Sequence, residues 1–245
     1  MADSTDFADR FADPRVTAPY CRRVPGDAGD VVLLGVVHDH PASVGRVQTV
    51  LDRFEPETLA LELPSAAVPL YRAYASRATG DNRPPVGGEM SAAIAATDAR
   101  VAGIDAPSLS FFRRLATRLV ADRVSPGTAR RVLESVGGAT RTALSYRLAA
   151  TLSNVTSVSV TPDERIDYEC EFDDPPDRQA DHERGHVAGV RALLRATEGE
   201  SKRYRDETRE ACMIDRLRSL RRDGDVVAVV GVGHLDPIED ALAGC

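Results

Sequence analysis

Residues 31–40 read VVLLGVVHDH, and this stretch decides the fold class. A continuous β-branched and leucine run such as 31–37 has no polar face, the pattern of a strand buried on both sides. Residues 43–54 then place Val44, Val47, Val50, Leu51 and Phe54 on one helical face, and TLALEL at 58–63 is a second buried run. Two short connections around one helix make a βαβ unit, so the two strands are expected to be parallel neighbours.

The same alternation continues outward. Residues 65–76 read as a helix, TGDNRPPVGG (79–88) as a loop, 89–99 as an alanine-rich helix and RVAGID (100–105) as a third strand. Helical periodicity over 107–152 is interrupted at Ser125-Pro126-Gly127 and Gly137-Gly138. Residues 155–172 alternate around Pro162-Asp163 as a hairpin would, and DDPPDRQAD (173–181) is a loop. Helices at 180–196 and 201–222, a buried strand at 225–231 and a closing helix at 237–243 complete the chain. The expected fold is α/β: a mostly parallel central sheet with helices on both faces and a β-hairpin insertion near 155–172. Residues 1–18 are expected to be a flexible acidic arm, and 19–245 a single domain.

Charge sets limits on partners. The chain holds 31 Lys and Arg against 38 Asp and Glu, a net charge of −7, and Lys202 is its one lysine. With no basic tract, nucleic-acid binding is not expected. The arginine-rich, aspartate-rich balance suits a high-GC genome or a salty cytosol equally. The longest apolar run, about 226–232, falls well short of the roughly 20 residues of a membrane span. The acidic N-terminus is no secretory signal, so a cytoplasmic location is expected. Cys21, Cys170, Cys212 and Cys245 form no CxxC pair, which points to reduced thiols rather than a zinc knuckle or a disulfide scaffold.

One pattern occurs twice. Gly35-Val36-Val37-His38 ends the first buried strand and Gly231-Val232-Gly233-His234 ends the last. In parallel α/β sheets ligands bind beyond the carboxyl ends of the strands, and Gly35 and Gly231 would let the backbone approach a bound group closely. Each GxxH alone is a weak sign, because a strand-end histidine is more often a structural hydrogen-bonder. Two of only five histidines at matching strand ends is a stronger one. Glu62 sits among leucines at the end of 58–63, where an ionised group needs a partner or a metal. Glu89 begins a helix and Asp105 ends the third strand; both also suit plain capping roles. Histidines and carboxylates converging at strand ends form a suitable donor set for a divalent ion that activates water.

The order of these motifs resembles the TraB/PrgY-like family, related to Tiki-type membrane-tethered metalloproteases, with a more distant likeness to erythromycin-esterase and ChaN-like proteins. The resemblance covers about residues 31–242. It runs through Gly35, His38 and Glu62; Glu89 in GGEMSAAIAA; Asp105 and Arg114 in GIDAPSLSFFRRL; Arg209, Glu210 and Met213 in REACM; and His234 in VVAVVGVGHL. Three features depart from it. Ala106 replaces the arginine of an Asp-Arg strand end, the C-terminal membrane helices of many members are not expected in the 11 residues after His234, and 154–181 has no counterpart. The resemblance implies a metal-dependent hydrolase, of peptidase type, acting on a peptide or small molecule. His38, His234 and Glu62 would hold a divalent ion (zinc, manganese or cobalt), with Glu62 as ligand or general base and Glu89 in support. Arg114 and Arg209 become candidate clamps for a substrate carboxylate or a developing oxyanion.

Other readings stay open. The chain could bind a ligand without turning it over, or hydrolyse without metal through a histidine base, and self-association into a homo-oligomer is left open. His182-Glu183-Arg184-Gly185-His186 spells HExxH, but it follows a charged loop and holds Arg and Gly between the histidines, so a solvated helical face is the expected role. Gly231-x-Gly233 lacks the rest of a dinucleotide loop, and neither a Walker A nor a GxSxG sequence is present.

Overall fold

The computed structural model describes residues 7–76, 86–105, 109–122, part of 124–132, 168–197 and 200–244. Five strands form one sheet: β1 (Cys21–Val24), β2 (Val31–Val36), β3 (Thr58–Pro64), β4 (Arg100–Asp105) and β5 (Val226–Gly231), in the order β1-β2-β5-β3-β4. All neighbouring pairs are parallel except β1 with β2. The helices are α1 (Pro41–Leu51), α2 (Val68–Ala75), α3 (Gly88–Ala95), α4 (Leu109–Ala121), α5 (Pro176–Thr197), α6 (Glu200–Leu220) and α7 (Leu235–Ala243).

Strand alternation sorts the core into two layers. Val32, Leu34, Val36, Leu59, Leu61, Val227 and Val229 face α1, α2 and α3, packing on Val47, Leu70, Tyr71 and Met90. Val31, Leu33, Ala60, Val226, Ala228 and Val230 face α6 and α7, against Met213, Leu217, Leu235 and Ile238. Gly35 serves this second layer: a Cβ there would come within 2.3 Å of Leu235 Cδ1. No helix among the described residues is long and apolar enough to cross a membrane.

Three expectations need correction. The first two buried strands run in the same direction but are not neighbours, because β5 inserts between them and pairs with both. The antiparallel edge strand β1 was not expected at all; CRRV carries two arginines and gives no buried-strand pattern. Residues 7–18, assigned to a flexible arm, instead pack: Phe7, Ala8, Phe11 and Val16 are buried in the first layer. Phe7 meets Phe11 and Phe54 edge to face, and Thr49 Oγ1 on α1 donates to Asp13 Oδ2 at 2.8 Å. Of the expected hairpin, 155–167 lie outside the described residues, and 168–172 form bends and a turn.

Candidate functional site

The carboxyl ends of the parallel strands β2, β3 and β5, with α2 and α3, line a cavity of about 230 Å³. Its walls are Val36, His38, Glu62, Leu63, Tyr71, Glu89, Met90 and Gly231. His38 follows β2, Glu62 lies near the end of β3 and Glu89 begins α3. The register of β3 shifts between Leu61 and Pro64, and Glu62 falls within that irregularity.

Glu62 is held on both oxygens. Oε1 accepts from Arg209 Nη2 at 2.6 Å and lies 3.3 Å from His234 Nε2, while Oε2 accepts from the Gly231 N–H at 2.7 Å. Burial alone would raise its pKa, but His234, Arg209 and Gly231 together hold it down at about 2. Arg209, from α6, also clasps Asp105 through Nε and Nη2 at 2.9 and 2.8 Å, which keeps its guanidinium cationic. Arg209 is therefore a tie between β3, β4 and α6.

The two GxxH histidines share one arrangement. His38 Nδ1 lies 3.1 Å from Glu89 Oε1, and His234 Nδ1 lies 2.8 Å from Glu210 Oε1. A carboxylate on Nδ1 fixes the tautomer and ring orientation and leaves Nε2 as the presented nitrogen. His38 Nε2 stands 3.6 Å from Asp39 Oδ2, and His234 Nε2 faces Glu62. The hydrogen bond to Glu89 raises the His38 pKa to about 9. For His234, burial opposes the charge, but hydrogen bonds to Glu210 and Glu62 outweigh it and bring the pKa to about 10.

Backbone strain marks the turn that carries His38. Asp39 has φ of 57°, unusual for a residue other than glycine, and its N–H donates to Glu89 Oε2 at 2.9 Å. Gly88 meets it with φ of 53°, and a Cβ there would fall 2.0 Å from Asp39 Oδ1. Gly88 thus makes room for the Asp39 carboxylate, while Gly87 makes room for the Tyr71 and Tyr74 rings.

Among the described residues, two groups bring potential metal donors within 4.8 Å of one another: His38, Asp39 and Glu89, and separately His40, Cys170 and His182. The set His38, Glu62 and His234 is not one of them; His38 and Glu62 share the cavity wall, and His234 reaches it through Glu62. Arg114 pairs with Asp215 and Gly35 packs on Leu235, so neither lines the cavity.

The HExxH segment lies on α5 and is not simply a solvated face. Glu183 is fully buried, bonded to Ser43 Oγ at 2.5 Å and paired with Arg46, itself fully buried and stacked over Tyr20. Glu183 therefore anchors α5 to α1 and is unavailable as a base. Sequence spacing gave no sign of this pairing, of Glu210 behind His234, or of His40 and Cys170 near α5; each joins positions far apart in the chain.

No protein-family model matches the chain, and no curated protein or solved structure is significantly similar to it.

Proposed function

We propose that the chain is a metal-dependent hydrolase, of the peptidase type its resemblance to the TraB/PrgY-like family implies, with the strand-end cavity as its active site. The observation that carries this reading is the doubled carboxylate–histidine arrangement, Glu89–His38 and Glu210–His234, flanking one buried carboxylate, Glu62. Such backing carboxylates orient metal-binding histidines and raise their basicity. The donor chemistry fits: Glu62, Glu89, Glu210, Asp39 and Asp105 gather here, and Arg209 is the permanent cation that pairs with two of them. The ion would enter at His38, Asp39 and Glu89, whose ligand atoms lie within 4.8 Å of one another, and Glu62 and His234 would have to close on it to join as ligands.

A divalent cation held in this cavity would supply Lewis acidity. The chain's own groups do the rest. Glu89 keeps the His38 ring turned toward the cavity. Glu62, with three donors on its oxygens, is a fixed negative charge and a ligand rather than a proton acceptor. Arg209 holds Glu62 in place and is not free to follow a developing oxyanion. Val36, Leu63, Tyr71 and Met90 exclude water and receive an apolar group. At about 230 Å³ the cavity is below the roughly 300–1,000 Å³ of drug-sized ligand sites, so it takes one side chain or small fragment of a substrate.

A second reading rests on the same Glu89–His38 pair, which would serve as a metal-free general base in the neutral form that His38 adopts above its raised pKa of about 9. Hydrolysis of a peptide library by the purified chain, before and after EDTA, separates the two. Metal dependence predicts loss with chelation, recovery with a divalent ion and none in His38→Ala. Activity indifferent to EDTA would overturn the metal reading.

A further inference from the structure

We propose that His40, Cys170 and His182 form a second metal site, distinct from the cavity, that takes a zinc-like ion and pins α5 to the start of α1. The three donors come from separate places: His40 is the N-cap of α1, Cys170 lies in the turn that leads into α5, and His182 lies in its second turn. Their ligand atoms lie within 4.8 Å of one another, with His40 Nε2 and His182 Nδ1 at 2.9 Å. Tetrahedral zinc with bonds of about 2.0–2.3 Å sets neighbouring donors roughly 3.3–3.8 Å apart, so the His40–His182 pair opens by a few tenths of an ångström and any wider pair closes. A thiolate with two imidazoles selects a borderline-soft ion over magnesium or calcium.

The surroundings are those of a built site. His40 is fully buried and Cys170 is 4% exposed. Tyr168 packs its ring on His40 and His186 with centroids 4.7 and 5.3 Å away, and its hydroxyl donates to the His38 carbonyl at 2.7 Å. Glu183, turned into its pair with Arg46 and Ser43, fixes the helix that carries His182. The strained Asp39 separates the two sites: His38 lines the cavity, whereas His40, two residues on, is buried against α5.

Without an ion, the Ala42 N–H donates to His40 Nδ1 at 3.1 Å, which places the His40 proton on Nε2 and directs it to His182 Nδ1. Loading moves that proton to Nδ1, gives up the Ala42 bond and sends the Cys170 thiol proton to solvent. The HExxH segment thus contributes His182 to a structural site and its glutamate to helix anchoring, a use unlike that of a zincin.

Cobalt(II) is the probe, added to the purified full chain. A thiolate ligand gives a near-ultraviolet charge-transfer band, and the cavity donors, all nitrogen and oxygen, give none. The expected result is a band that saturates at one equivalent, disappears in Cys170→Ser and in His182→Asn, and persists in Cys212→Ser and in His38→Ala/His234→Ala. Circular dichroism of each variant confirms that it is folded. No band in the wild type, or one that survives Cys170→Ser, would overturn the site; loss of the band in His38→Ala/His234→Ala would overturn its independence from the cavity. Failure of the hydrolase reading leaves the cobalt band in place, so the two claims fall separately.

Discussion

Single residues decide how the strand-end histidines are held. Glu210 acts through His234, whose Nδ1 it fixes at 2.8 Å, and Gln there keeps the size while removing the charge. Carboxylates behind metal-bound histidines typically matter 10–100-fold, so Glu210→Gln is expected to weaken divalent-ion affinity at the cavity by about that factor with little change in thermal stability. Isothermal titration in a Cys170→Ser background measures it, and unchanged affinity would remove Glu210 from its orienting role. At this scale the sequence was partly legible. His38, Glu62 and Glu89 do share one cavity wall, because glycine and histidine at the carboxyl end of a buried strand have few other places to go. Glu210 was visible only as the acid after Arg209, and nothing in its spacing paired it with a histidine 24 positions later.

Elements were more legible than their arrangement. The buried strands β2, β3 and β5 announce themselves as unbroken apolar runs, since both faces are covered. Their order did not follow, because a last strand inserted between the first two leaves no mark on local periodicity. The N-terminal segment shows the opposite failure. Its acidic composition suggested an arm, yet Phe7 and Phe11, four residues apart, supply enough apolar surface to seat it beside Phe54. Asp13 fastens it: burial disfavours its charge, but bonds from Arg15 and Thr49 prevail and lower its pKa from the ordinary 3.8. A depressed carboxyl stabilises the fold above its ordinary pKa and loses that contribution as pH falls through the folded value. Asp13→Asn is therefore expected to cost about 1–2 kcal/mol at neutral pH, with the difference from wild type shrinking as pH falls below about 4. Urea denaturation across pH tests this, and a difference independent of pH would contradict it.

Across the whole molecule, the chain's five histidines gather in two places. His38 and His234 stand at the strand-end cavity, and His40, His182 and His186 surround Tyr168 under α5. The low histidine count made the first pair legible, since matching strand ends stand out in sequence. The second group joins positions about 140 residues apart through tertiary packing, which no spacing encodes. The acidic surplus over the chain is concentrated in part at the cavity, where a cation would offset it. The direct test is metal content after equilibration with a divalent ion and desalting, in a Cys170→Ser background so that the cavity alone is read. The account predicts about one equivalent bound there, falling to a negligible level when His38→Ala and His234→Ala are added. Equal and negligible metal in both proteins would contradict it.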